Sequence, residues 1–247
     1  MKSSIGTRMK ENYENRTRYK LTRRTPVIMR LDGKAFHTLT KDCQKPFDNM
    51  LRSNMVDTAL YLCENIQGAK MAYIQSDEIS ILITDFDSIK TDAWFDYNIQ
   101  KMTSVAAGMA SVKFSELFGQ TGIFDCRVFN VPKEEVINYF IWRQKDWERN
   151  SLQMLARSCY SHKELHGKKT ADIHEMLYKK NENWAKLKKQ WKNGNTLFKQ
   201  YGYMVENFKE SEERIFPNNN IINKEYLYPY ETDISEEINS YINNKRI

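Results

Sequence analysis

The chain has 247 residues, 40% of them apolar and 13% aromatic, and a formal net charge of +6. That is enough to bury a real core in one large domain, or one domain with an appendage, and the scarcity of glycine and proline excludes low-complexity and fibrous classes. No apolar run approaches the roughly 20 residues that cross a bilayer, and the start, MKSSIGTRMKENYENRTRYK, has no apolar signal segment.

Residues 27–31, VIMRL, read as a short buried strand. They run straight into Asp32-Gly33 and then Lys34, Phe36 and His37, so a hydrophobic strand ends by aiming an acid and a cation at one small volume. Asp48 is placed to cap a helix over 49–66, where Leu51, Met55, Ala59, Leu62 and Ile66 recur at helical spacing and Gly68 marks the end. AKMAYIQ and EISILIT, 69–75 and 78–84, read as two strands around Ser76-Asp77. That tip lacks the Asn-Gly signature, so turn geometry alone does not explain its residues. A helix over about 94–118 is predicted next, with Phe95, Ile99, Met102, Ala106 and Met109 on one face and Gly119 closing it. CRVFNV, 126–131, is a strand stopped by Pro132. Residues 133–160 read as two helices. The lysine-rich stretch 163–200 places Trp184 and Trp191 seven apart, on one helix face, and 216–233 reads as loop and irregular edge.

The order β-α-β-β-α-β predicts an α+β fold, the ferredoxin-like split unit: an antiparallel four-stranded sheet backed by two helices. In it the first strand lies beside the central hairpin, which brings Asp32 and Asp77 together. Two carboxylates at one place repel, and a divalent cation removes the conflict. Oxygen ligands of this kind suit magnesium. Two such ions about 3.5–4 Å apart can clamp an in-line nucleotidyl transfer. Gly33 is expected to leave the following backbone amides open to a triphosphate, and Lys34 to add positive charge.

Charge is unevenly spread. Residues 1–24 carry eight Lys/Arg against two acids, 157–199 carry eleven against four, and the tail from 204 carries nine acids against five bases. Two basic stretches around a neutral-to-acidic centre point to a polyanion gripped beside a cation site. Four widely spaced cysteines (Cys43, Cys63, Cys126 and Cys159) form no C-x-x-C pair and are expected as reduced thiols of a cytoplasmic protein.

RMKENYE (8–14), MRLDGKAFHTLTK (29–41), KPFD (45–48), AYIQSDEISIL (72–82), FDCRVF (124–129) and WRQKDW (142–147) together resemble the tRNA-His guanylyltransferase superfamily, which extends RNA in the 3′-to-5′ direction. The resemblance covers roughly the first 150 residues. It implies a polymerase-like palm over 1–150 with a basic N-terminal arm, then a helical, basic RNA-contacting extension with an acidic tail over 151–247. Carried over by motif, Asp32, the Gly33 carbonyl and Asp77 bind two magnesium ions, with Glu78 as a further catalytic acid. Asp32, Gly33, Lys34, Ala35, Phe36, His37, Ser76 and Asp77 line a nucleoside-triphosphate site. Lys45 and Asp48 match a 5′-end activation site, and Arg127, Arg143 and Asn150 match positions that meet RNA phosphate. ATP, GTP and other nucleoside triphosphates are the implied substrates, tRNA the implied partner, and a homo-oligomer (dimer or tetramer) the implied assembly. Members that add the extra guanosine carry H-I-N-N-L-Y-N after W-R-Q-x-D. Here ERNSLQM keeps Asn150 without the histidine or tyrosine, which points to the guanylyltransferase-like proteins that rebuild truncated tRNA 5′ ends against a template. The alternatives are addition of the extra guanosine, a palm-type nucleotidyl cyclase, and a non-catalytic RNA-binding module.

Overall fold

The computed structural model describes residues 4–200 and 203–206; the expected loop at 216–233 and nearly all of the acidic tail lie outside them. The protein combines helices with an antiparallel sheet. Its elements run α1 (Ile5–Asn12), β1 (Val27–Gly33), α2 (Phe36–Leu39), α3 (Asn49–Asn65), β2 (Ala69–Gln75), β3 (Glu78–Ile83), α4 (Ile99–Phe118), β4 (Phe124–Asn130) and α5 (Val136–Cys159). There follow α6 (His162–Leu165), α7 (Thr170–Lys179), α8 (Lys189–Lys192), β5 (Asn195–Gln200) and β6 (Tyr203–Glu206). The sheet order is β4-β1-β3-β2-β5-β6, with every neighbouring pair antiparallel. β1 therefore does lie beside the hairpin strand β3.

The strands alternate in what they bury. Val27, Met29 and Leu31 of β1, with Ile79, Ile81 and Ile83 of β3, face α3 and α4 and pack on Met55, Ala59, Leu62, Met102, Ala106 and Phe114. Ile28, Met71, Tyr73 and Leu82 face the other way and meet Val136, Ile137, Phe140 and Ile141 of α5. A sheet covered on both faces explains why β2 and β3 are buried at every position.

Several sequence expectations change here. The helix predicted over 94–118 starts at Ile99 with Asn98 as its cap, because Phe95, Asp96 and Tyr97 all take left-handed φ in a preceding 3-10 turn. Phe95 is thus exposed rather than on the buried face. Residues 136–159 form one helix, not two. Its first half lies on the sheet, and its second half carries Leu152, Leu155 and Ala156 against Ile173 and Leu177 of α7. Trp184 and Trp191 do not share a helix face. Trp184 opens a 3-10 turn and its Nε1 donates to Ser151 Oγ (2.9 Å), whereas Trp191 sits in α8, stacked on Phe47 at 5.2 Å and 8°. The chain then returns to the sheet as β5, which the lysine-rich pattern concealed, and β6 just beyond that stretch.

Much of the basic N-terminal stretch is spent internally. Arg23 Nε donates to the fully buried Asp85 (2.5 Å) and Nη2 to the Thr91 carbonyl, while Arg24 reaches the carbonyls of Asp85, Ser88 and Ile89. Lys20 pairs with Asp96, and Arg18 with Glu14. Arg23 and Arg24 thereby pin the 85–92 loop. Arg8 and Lys10 lie on α1, which has no buried residue.

Candidate active site

Strand register sorts the α5-facing side of the sheet into three rows, since directly opposed residues share a face. The row at the open end reads Asp125, Asp32, Glu78, Gln75 across β4, β1, β3 and β2. The next reads Arg127, Arg30, Ser80, Tyr73, and the third Phe129, Ile28, Leu82, Met71. The first half of α5 covers the apolar row and leaves the acidic end partly open.

Asp77 stands at the tip of the β2–β3 hairpin beside that acidic row. The Gly33 amide donates to the Asp77 carbonyl (3.1 Å), tying the end of β1 to the tip. Burial pushes the Asp77 carboxyl above its ordinary value. Bonds from its own amide and Ser76 oppose the rise, the nearby Asp32 charge adds to it, and His37 lowers it. Asp32, Asp77 and His37 are thus electrostatic neighbours. Ser76 is exposed and takes φ +47°, a left-handed conformation uncommon outside glycine.

The loop after Asp32 is built differently from the expectation. The amides of Gly33 and Lys34 are occupied, the second by the Ile123 carbonyl (2.7 Å), so neither is open to phosphate. Gly33 is needed for space: a Cβ there would lie 2.3 Å from the Phe36 ring. Phe36 itself has a buried ring, 5.0 Å from both Phe114 and Phe124, so its side chain belongs to the core. Ala35 takes φ +56° and turns the chain into α2, whose first amides lack intrahelical partners. Lys34 and His37 are exposed at this turn.

Glu78 and Arg143 also depart from the roles their motifs suggested. Arg143 is 6% exposed, too buried to meet RNA phosphate. Its fork holds both Glu78 oxygens, Nε to Oε1 at 2.7 Å and Nη2 to Oε2 at 2.6 Å, and Nη2 lies 3.1 Å from Asp146 Oδ2. Burial pushes the Glu78 carboxyl up and the fork pulls it back. Glu78 is therefore engaged beneath the site rather than presented to it. Asn150 donates to Asp146 (3.3 Å), and Arg127 is exposed, leaning on Asp125 (3.4 Å).

On the far side of the hairpin tip a solvent-open cleft of about 100 Å³ is lined by Lys45, Phe47, Asp48, Ser76, Trp147 and Trp191, among others. Asp48 caps α3 through Leu51 N and accepts from Gln44 N, both at 2.8 Å. Burial raises its pKa, but these backbone bonds and Lys45 outweigh that and hold it below the ordinary carboxylate value. Lys45 Nζ donates to the Thr40 carbonyl (2.9 Å). Arg30, Asp125 and the Phe47–Trp191 stack were missed in the sequence. A period-2 reading of MRLDG and FDCRVF already puts Arg30 with Asp32, and Arg127 with Asp125, on one face.

Among the described residues no group of three or more His, Cys, Asp or Glu side chains could hold a metal ion. The two aspartates and backbone oxygens offer only hard donors and an incomplete shell. That suits magnesium, which keeps waters and takes one or two carboxylates plus substrate phosphates. Among the same residues no helix is long and apolar enough to cross a membrane.

The profile of the family described as "Thg1: tRNAHis guanylyltransferase" matches residues 6–132, just over half of the chain. The chain belongs to the tRNA-His guanylyltransferase family. A bacterial tRNA(His) guanylyltransferase-like protein solved in complex with ATP is 45% identical, with a TM-score of 0.80 over 83% of this chain and 92% of that one. A GTP complex of such a bacterial protein gives 42% identity and a TM-score of 0.74, covering 83% of this chain and 91% of that one. Among curated relatives, a probable tRNA(His) guanylyltransferase of Dictyostelium discoideum is 28% identical over 70% of this chain and 75% of its own length. An uncharacterized protein of Acanthamoeba polyphaga mimivirus, R259, is 29% identical over 63% of each chain.

Proposed function

We propose that the protein is a template-dependent 3′-to-5′ nucleotidyltransferase that adds nucleotides to the 5′ end of truncated tRNA after ATP-dependent activation of that end. The observation that carries this reading is the convergence of Asp32 and Asp77, where β1 is tied to the hairpin tip, in a family with bacterial members solved with ATP and with GTP. The half-buried Asp77 carboxyl, raised by burial and by the nearby Asp32 charge, is the kind of conflict a cation relieves. Two magnesium ions held by Asp32, Asp77 and the Gly33 carbonyl would supply charge stabilisation to the attacking and leaving oxygens.

The chain's own residues do the rest. Lys34 and His37 lie where a triphosphate would need positive charge. The cleft beside Ser76, with Lys45, Asp48 and the Phe47–Trp191 pair, suits a nucleoside. Arg30 and Arg127 face each other across β1 and β4, and the buried Arg30 Nε has no hydrogen-bond partner. Two opposed cations next to the aspartates favour an RNA phosphate between them. The 5′-monophosphate of the RNA would attack the α-phosphorus of ATP and release pyrophosphate. The 3′-hydroxyl of the incoming nucleotide would then attack the 5′ phosphorus and expel AMP; a 5′-triphosphate end needs no first step. Watson–Crick pairing selects the base, so the protein need read only backbone and shape. In this scheme residues 1–150 are the palm-type catalytic part and 151–247 the RNA-contacting part.

The test is a 5′-truncated tRNA labelled at its 5′ phosphate, incubated with ATP, the four nucleotides and magnesium. Template-matched growth at the 5′ end is expected. No growth, with cyclic product from GTP alone, would replace this reading with that of a cyclase.

A further inference from the structure

The geometry points to Arg143 as a positioning residue that holds the Asp77 hairpin tip from beneath, through the two residues that flank it; this rests on the function proposed above for Asp77. The tip is the two-residue turn Ser76-Asp77, closed by the opposed pair Gln75 and Glu78. Both closing residues are buried. Arg143 grips both. Its fork takes the two Glu78 oxygens at 2.7 and 2.6 Å. With its amide oxygen toward the guanidinium, Gln75 accepts from Arg143 Nη2 (2.6 Å) and donates to the Arg143 carbonyl (2.6 Å). The opposite orientation would set oxygen against oxygen and nitrogen against nitrogen.

The clamp is itself held. Nη2 shares its two hydrogens among Glu78, Gln75 and Asp146, and Asp146 also accepts from Arg149 and Asn150. The guanidinium lies against the Trp142 ring at 4.5 Å. From the other side the Gly33 amide fixes the Asp77 carbonyl. The tip therefore has three anchors, and it contains a left-handed serine that would relax if released. Arg143 is nearly excluded from solvent, and its fork is already filled by Glu78, Gln75 and Asp146. Its motif position suggests an RNA contact; its geometry makes it a strut that sets where the Asp77 carboxylate stands relative to Asp32.

The experiment uses the full chain and Arg143→Lys, which keeps the charge and loses the fork. Manganese binding is followed by electron paramagnetic resonance with a non-hydrolysable triphosphate present, and tRNA affinity is measured against salt. The expected result is manganese affinity lower by about tenfold or more, as for lost supports of metal ligands. Affinity for tRNA and its salt slope stay at the wild-type values. An unchanged manganese isotherm overturns the proposal. So does a salt slope lowered by about one unit, the mark of a lost phosphate contact. If Arg143→Lys fails to fold, Gln75→Ala removes one arm of the clamp and must weaken manganese binding in the same direction; no change there is equally fatal. Because metal binding is read directly, failure of the wild type to extend tRNA would sink the proposed function without deciding this point.

Discussion

The two faces of the sheet are made by the same strands and obey different rules. On the α3/α4 face, β1 and β3 contribute six apolar side chains, all fully buried, and nothing there needs a partner other than van der Waals contact. On the α5 face the same strands step from an apolar row through Arg30 and Ser80 to Asp32 and Glu78. Each polar residue there needs a partner, and α5 supplies some: Tyr139 for Ser80 and Arg143 for Glu78. Asp32, Asp77 and Arg30 receive none of this kind. A period of two thus gives one chain a dry floor and a reactive roof, and what α5 leaves unpartnered marks the site.

The comparison is broken most severely at the roof. Asp32→Ala or Asp77→Ala is expected to reduce 5′ nucleotide addition by about a thousandfold or more, several kcal/mol of transition-state charge stabilisation. Folding should not suffer. Asp77 is destabilised by burial and by Asp32, so its removal is expected to leave the thermal midpoint unchanged or higher. Single-turnover addition and thermal unfolding, run on the same samples, check both halves. A variant that loses activity only by unfolding would make these aspartates structural.

The floor should show the reverse. Ile81 is fully buried on the α3/α4 face. Ile81→Ala is expected to cost about 2–5 kcal/mol of stability in denaturant melts. The folded fraction should keep its specific activity. If it does not, the floor and the roof are coupled through the sheet.

What the sequence made legible follows this division. The alternation of Ile79, Ile81 and Ile83 and the spacing of Met55, Ala59 and Leu62 are strong periodic signals, and they were enough to order the elements from β1 to β4. Asp32 and Asp77 followed, because topology alone brings a strand end to a neighbouring hairpin tip. Arg143 could not be placed the same way. An arginine in a helix reads as surface, and only the buried Glu78 and Gln75 opposite allow it inside. A signal was nevertheless present: Val136, Phe140, Arg143 and Trp147 recur at helical spacing, which puts Arg143 on the apolar face. β5 and β6 left no such signal. They are short additions at a sheet edge, β5 on β2 and β6 on β5, and that tertiary pairing overrides weak local patterning. The N-terminal cations misled for a related reason. Charge totals register Arg23 and Arg24, but not the buried Asp85 carboxylate that takes the first or the loop carbonyls that take the second.

The smallest expected effect lies at the seam between the two kinds of residue on the α5 face. Tyr139 shares a hydrogen bond of 2.8 Å with Ser80, while its ring packs among the apolar row. Tyr139→Phe keeps the ring and removes the hydroxyl, and should cost about 1 kcal/mol near neutral pH. Ser80 Oγ keeps a 3.3 Å contact to Glu78, which limits the loss. Burial pushes the Tyr139 hydroxyl up to about 12; the Ser80 bond opposes this and the Glu78 charge adds to it. A group whose folded pKa lies above its unfolded value contributes stability that is whole below the unfolded pKa. That stability is lost as pH rises through the folded one. For this phenol the window runs from about 10, the ordinary tyrosine value, upward. Wild-type stability should therefore fall across that window, and the Tyr139→Phe protein should fall less steeply. Denaturant melts at pH 8, 10 and 11 check it, and parallel curves for the two proteins would mean that Tyr139 is not the buried phenol that titrates there.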